Sequence, residues 1–402
     1  MPSDPRDGCG APGDPRGHAP AGLSKVRRIA AVAVLGAMAI VPAGPAAATP
    51  QGTAPTGQTD RLVLPAPTGP HPVGQEDLYL VDHGRTDPWV PTGPRELMVS
   101  MWYPAATARG PHIPYASAEE ARLLLDAHQL TDVPADKVAR IGTHARAGAP
   151  PLRRPGGLPL IVLSPGLAHP SFMLTSLAED LASRGYVVAG IDHTHEAVAV
   201  TFPDGRVAAG CIACDVAEGP QIVASRVQDV RFVLDSVLSH QRYGRLIDPH
   251  RIAMVGHSMG GSSASQTMLA DPRVDAGINL DGEAGAPIDR DLDRPFLVVG
   301  AGPEGVVPGG YPGSDQTWSH LTGWRRWLLL PDLDHLSLCD AAVIGPWVGV
   351  PLQPIPGARV VEIVRTYVAA FADEHLRHQH RPLLDRPSPR FPEVDFVGPA
   401  AG

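Results

Sequence analysis

The run Gly256-His257-Ser258-Met259-Gly260-Gly261 is where residue type and spacing speak most directly of chemistry. This G-x-S-x-G pattern follows the apolar run Ile252 to Val255 and precedes the Ala- and Ser-rich stretch Ser262 to Ala270. Between a strand and a helix, such a pattern makes a tight elbow that lifts the serine hydroxyl above a sheet. The flanking glycines are needed because a Cβ there would strike neighbouring backbone. A serine hydroxyl is a weak nucleophile until a base takes its proton. His335 is the expected base: it lies in Pro331-Asp332-Leu333-Asp334-His335, just past the run Trp327 to Leu330, in the chain order serine, acid, histidine. Other histidines fit less well. His257 flanks the serine and is expected to point away from it, and His193 and His195 precede it. His375, His378 and His380 sit at the polar end of the last helical pattern and are expected to be solvated.

Two carboxylates compete to hold the imidazole tautomer and stabilise the imidazolium as it forms. Asp281 ends the run Ala276 to Leu280, and Glu304 follows the run Phe296 to Val299. A short carboxylate on a strand end is held more rigidly than a glutamate amid Gly300 to Gly310, so Asp281 is preferred. Asp332 and Asp334 lie too near His335 in sequence to reach its far nitrogen. A tetrahedral intermediate also needs two N–H donors for its oxyanion. Met259, next to the nucleophile, offers one. The loop Ser164-Pro165-Gly166-Leu167 offers the other, and because Pro165 has no N–H, Leu167 is the expected donor.

The elements that must position these groups read as alternating strands and helices. Leu78 to Val81, Leu97 to Tyr103, Leu158 to Leu163 and Tyr186 to Ile191 are short apolar runs, as are those already named at 252–255, 276–280, 296–299 and 327–330. Helical spacing links Met173, Leu174, Leu177 and Leu181, with Ser171 as the N-cap. Val223, Val227, Val230, Leu234 and Val237 mark an amphipathic helix over 222–238, and Val360, Val361, Val364, Val368 and Phe371 mark a closing one. This alternation predicts an α/β fold with a mostly parallel sheet covered on both faces. Residues 106–157 separate two strands by far more than a usual connection and read as an insertion at the sheet edge.

Net charge is −9, and Lys occurs only at 25 and 137. That balance excludes a protein that coats a phosphate backbone, so no nucleic-acid partner is expected. Lys25, Arg27 and Arg28 precede the apolar run Ile29 to Val41, and Ala46-Ala47-Ala48 follow. This is the order of a secretory signal, over about residues 25–48, with an N-terminal extension before it and Val26 as one candidate start. Residues 49–75 form a Pro-, Gly- and Thr-rich lead-in, and 76–402 a single domain. Without residues 1–48 the net charge becomes −11, and Cys211, Cys214 and Cys339 remain. Cys211-x-x-Cys214 fits a redox pair, half a zinc site or a structural disulfide. With no second Cys pair, no metal is expected.

With these residues assembled, the chain resembles the α/β-hydrolase fold. Within it, it resembles the platelet-activating-factor acetylhydrolase family and its bacterial secreted esterase and lipase relatives. The likeness spans most of residues 77–397. It is carried by Trp102-Tyr103-Pro104-Ala105, by Ser164-Pro165-Gly166-Leu167, by the Ser258 elbow, and by the placing of Asp281 and His335. It implies the acid at Asp281 and oxyanion donors at Leu167 and Met259. One departure is Ser164-Pro165, where many relatives carry a His before the Gly. Polyester-degrading hydrolases share the elbow but usually lack so long an insertion. The implied activity is that of a secreted, cofactor-independent serine carboxylic-ester hydrolase, acetylhydrolase- or lipase-like. It would act through an acyl-enzyme on short-chain acyl esters, with phospholipid acetyl esters as candidates. Its partners would be small-molecule or lipid esters, with transient contact with lipid aggregates. An acyltransferase using the same three residues is one alternative. The other is a non-catalytic binding protein, against which the full catalytic set weighs.

Overall fold

Strands covered on both faces must carry apolar residues at consecutive positions, as Leu158–Ser164 does. In the computed structural model, which describes residues 61–283, 285–302 and 312–398, every residue of that strand is buried. The strands, in chain order, are β1 (Val73–Thr86), β2 (Pro94–Pro104), β3 (Arg146–Ala147), β4 (Leu158–Ser164), β5 (Val187–Asp192) and β6 (Ala199–Thr201). They continue with β7 (Val207–Ala209), β8 (Ile247–His257), β9 (Ala276–Leu280), β10 (Phe296–Ala301), β11 (Arg325–Leu330) and β12 (Asp395–Val397). Ten of these form one sheet in the order β12-β11-β10-β9-β8-β4-β5-β2-β1-β3, and β6 and β7 pair separately. From β5 across to β11 every neighbouring pair is parallel. β2 is antiparallel to both β1 and β5, and β12 is antiparallel to β11.

The helices are α1 (Ala118–Ala127), α2 (Ala135–Ala139), α3 (Thr175–Ser183), α4 (Ile212–Val216) and α5 (Gly219–Ser239). α6 (Met259–Ala270), α7 (Pro312–His320), α8 (Ala341–Trp347) and α9 (Gly357–Arg377) complete them. Side chains alternate across a strand, so β4 serves two cores. Ile161 and Leu163 pack with Leu177 and Leu181 of α3 and with Val360 and Val364 of α9. Leu160 and Val162 pack on the other face with Val230, Val233 and Leu234 of α5 and Met268 of α6. This is the α/β-hydrolase fold. Residues 106–157 hold α1, α2 and β3, and Arg146 and Ala147 pair with Gly74 and Gln75 on the sheet's edge. A capping box between Ser117 and Glu120 starts α1.

Three expectations are corrected. Ser171 does not cap a helix: it lies in the 3-10 turn Ser171–Leu174 ahead of α3, where its N–H is taken by Asp192 Oδ1 at 2.6 Å. The buried stripe of α5 is rotated from the one drawn through the valines. Val227 is only half-buried, whereas Arg226 and Asp229 are 1% and 0% exposed. His375 is not solvated. It is packed against Trp324 and Phe371, with ring centroids 4.6 Å away in each case, and burial pushes its pKa down to about 4.

Candidate active site

Ser258 joins β8 to α6 with φ 54° and ψ −120°, a conformation that an L-residue holds only when its surroundings impose it. Backbone packing imposes it here. A Cβ on Gly256 would lie 2.0 Å from the Gly260 carbonyl carbon, and one on Gly260 would lie 2.0 Å from the Ser164 carbonyl oxygen. The end of β8, the start of α6 and the loop after β4 therefore touch backbone to backbone. On the other side, the Ser258 N–H donates to the Leu280 carbonyl at 2.9 Å, tying the elbow to the end of β9.

Asp281 is the next residue along β9, and it too has a positive φ, 53°. Its carboxylate is held at both oxygens: Oδ1 accepts the Ala301 N–H at 2.8 Å, and Oδ2 accepts His335 Nδ1–H at 2.6 Å. The rival acid, Glu304, lies outside the described residues, as do residues 1–60 with the signal segment. His335 opens a 3-10 turn, His335–Leu338, beyond β11. Its carbonyl accepts Nε2–H of His257 at 3.0 Å, and the two rings stand 4.8 Å apart between centroids. The buried His257 thus braces the main chain of His335, and burial pushes its pKa down to about 4, keeping it neutral. Burial alone would lower the pKa of His335 as well. The hydrogen bond and negative charge of Asp281 outweigh that and raise it above the ordinary imidazole value. Among the described residues the half-buried Ser258 hydroxyl has no hydrogen-bond partner, so the structure joins His335 to Asp281 but not to Ser258.

The loop after β4 closes the site. A Cβ on Gly166 would lie 3.3 Å from Ser258 Cβ, 3.2 Å from His257 Nδ1 and 3.0 Å from His169 Nδ1. Among the described residues, neither the Leu167 N–H nor the Met259 N–H has a partner. His169 and His128 were not anticipated. Their Nε2 atoms are 3.1 Å apart, which links the end of α1 in the insertion to the loop beside Ser258. A lone histidine between Ala168 and Pro170 has no pattern that marks it in advance. Cys211 and Cys214 form a disulfide, and Cys339 is buried and free.

A hydroxyl on a constrained elbow, an Asp–His hydrogen bond and two unpaired amides are the parts that attack on a carbonyl requires. Fold and relatives together define an α/β-hydrolase acting on carboxylic esters. The family profile "Platelet-activating factor acetylhydrolase, isoform II" matches residues 56–208. A probable 1-alkyl-2-acetylglycerophosphocholine esterase of Arthroderma benhamiae is 30% identical over 379 residues, covering 84% of this chain and 94% of that protein. Cutinase est1 of Thermobifida alba is 27% identical over 150 residues, 37% of this chain and 43% of its own length. Among solved structures, a ferulic acid esterase from Streptomyces cinnamoneus superposes with a TM-score of 0.75. It is 42% identical and covers 84% of this chain and 99% of its own. The chain belongs to the platelet-activating factor acetylhydrolase family and is an ester hydrolase.

Two outcomes are expected from this geometry. If His335 must be neutral to act, kcat/KM for an uncharged ester falls on the acid side with a midpoint above the usual imidazole value of about 6.5. Asp281→Asn leaves burial as the main influence and should move the midpoint below that value; a pH–rate profile that does not move would exclude the coupling. Gly260→Ala should cost about 1–3 kcal/mol in denaturant unfolding through its clash with Ser164, and most of the activity with it.

Proposed function

We propose that Ser258, His335 and Asp281 hydrolyse short-chain acyl esters through an acyl-enzyme, with the Leu167 and Met259 N–H groups holding the oxyanion. The observation that carries the reading is the 2.6 Å hydrogen bond between Asp281 and His335, residues 54 positions apart, at the strand end to which Ser258 is tied. Ser258 Oγ attacks the ester carbonyl while His335 Nε2 takes its proton. Asp281 stabilises the imidazolium, and the two amides meet the charge that develops on oxygen. The tetrahedral intermediate collapses, and His335 returns the proton to the departing alcohol. Water then attacks the acyl-enzyme with His335 as base, releasing the acid and restoring Ser258.

The full-length relative from Arthroderma favours an acetyl ester as substrate, with acetylated alkyl phospholipids the leading candidates. The more similar ferulic acid esterase favours a second reading, in which the acyl group is a hydroxycinnamate. Export is part of the proposal. It is supported by the order of basic, apolar and small residues over 25–48, and by the Cys211–Cys214 disulfide, which an oxidising compartment preserves.

Ser258→Ala should lower kcat on p-nitrophenyl acetate by about 10⁴–10⁶ while leaving the fold intact. Turnover within a hundredfold of the parent would rule out the serine. A panel of p-nitrophenyl acetate, p-nitrophenyl octanoate, an acetylated alkyl phospholipid and methyl ferulate separates the substrate readings. Higher kcat/KM on the acetyl esters supports the first reading, and on the ferulate the second.

A further inference from the structure

Behind the loop that carries Leu167 lies another Ser–His–Asp chain, built from the side chains of Ser164, His193 and Asp229, none of which serves in the site just described. Ser164 Oγ is 2.9 Å from His193 Nε2, and His193 Nδ1 is 2.8 Å from Asp229 Oδ2. The connectivity is that of an activated nucleophile, but Ser164 is 0% and His193 1% exposed, so no ester reaches it. Nor does it hold a cation. Ligand atoms of His193, Glu196 and Asp229 lie within 4.8 Å of one another, but the guanidinium groups of Arg85, Arg95 and Arg226 already satisfy the carboxylates. Arg95 donates to both oxygens of Asp229, at 3.1 and 2.7 Å, and Arg226 Nε donates to Glu196 at 2.7 Å.

What distinguishes Arg226 is where its remaining donors go. Nη1 donates to Ser164 Oγ at 3.2 Å and also to the Pro165 carbonyl, and Nη2 reaches the Gly166 carbonyl at 3.5 Å. The Gly166 carbonyl also accepts the His169 N–H at 3.2 Å. A trans peptide is planar, with its C=O and N–H pointing in opposite directions. Drawing the Gly166 carbonyl toward Arg226 therefore turns the Leu167 N–H the other way, out of the buried cluster. The Ser164 hydroxyl accepts from Arg226 and passes its own proton toward His193 Nε2. That requires a neutral His193 with its proton on Nδ1, facing Asp229. Burial and the nearby Arg226 charge lower the His193 pKa, in keeping with that form.

We infer that Arg226, seated by Ser164 on one side and Glu196 on the other, is the positioning residue that aims the Leu167 N–H at the oxyanion. The inference rests on the reading of Leu167 as a donor. Its consequence is specific: loosening the clamp weakens stabilisation of the tetrahedral state while leaving substrate binding nearly unchanged.

The test uses Ser164→Ala, which removes a single buried hydroxyl, and Arg226→Lys, which keeps the charge but cannot span from Glu196 to both carbonyls. Rates are expressed per active site, counted by fluorophosphonate labelling, so that a partly unfolded sample cannot imitate the effect. For both variants, kcat on p-nitrophenyl acetate should fall about 10–100-fold, below the loss expected from deleting a donor outright, with KM within about threefold of the parent. Affinity for an alkyl trifluoromethyl ketone, whose adduct with Ser258 places an oxyanion in the same position, should fall by the same factor as kcat. The inference is overturned if kcat and ketone affinity of Ser164→Ala stay within twofold of the parent, if KM alone changes, or if Ser164→Ala fails to fold. Ser258→Ala run alongside separates the two claims. Activity surviving in Ser258→Ala sinks the serine reading, whereas a dead Ser258→Ala beside a fully active Ser164→Ala sinks only the clamp.

Discussion

Backbone contact without intervening side chains, at Gly256 and Gly260, is the constraint on which this site depends. It forces the turn between β8 and α6 to be sharp enough to hold Ser258 at φ 54°. It also brings the first residues of α6 against the carbonyl of Ser164. A conformation of this kind costs of order 1–3 kcal/mol, and the surrounding sheet must supply it. The supply is visible in the bond from Ser258 N–H to Leu280 and in the parallel pairing of β8 with β4 and β9. The same strand end carries Asp281, so a single piece of rigid sheet fixes both Ser258 and Asp281.

Charge burial is the second theme. Removing ions from water costs several kcal/mol each unless partners and hydrogen bonds compensate. Beside the loop after β4, Arg85, Arg95 and Arg226 face Asp87, Glu196 and Asp229, three cations to three anions. Trp89 Nε1 and the Thr194 carbonyl provide further hydrogen bonds, to Glu196 and Arg95 respectively. An apolar cluster of equal volume would pack at lower cost. Guanidinium groups, unlike methyls, can grip carbonyl oxygens, and a loop whose second residue is proline has few N–H groups of its own by which to be held.

Much of this was legible in the sequence, for identifiable reasons. The parallel strands were legible because burial on both faces writes continuous apolar runs such as Leu160-Ile161-Val162-Leu163. That Ser258, Asp281 and His335 lie just past the ends of β8, β9 and β11 was legible because each comes within a few residues after such a run. The buried network was not. Arg226 and Asp229 are three apart on α5, and both fall on its apolar stripe with Val223, Val230 and Val233. That is the signal the sequence carries, but a stripe drawn through the apolar residues alone runs over Val227 instead. His128 could not be foreseen at all. Its contact with His169 depends on how the insertion folds back, which no local pattern records.

Labelling the full chain with a fluorophosphonate, followed by mass mapping of its peptides, tests the central claim most directly, because the molecule holds two Ser–His–Asp sets and the serine of one, Ser164, is fully buried. The account predicts a single adduct, on Ser258, appearing in step with the loss of esterase activity. Inactivation with the adduct on Ser164 or any other residue, or inactivation with Ser258 unmodified, would contradict it.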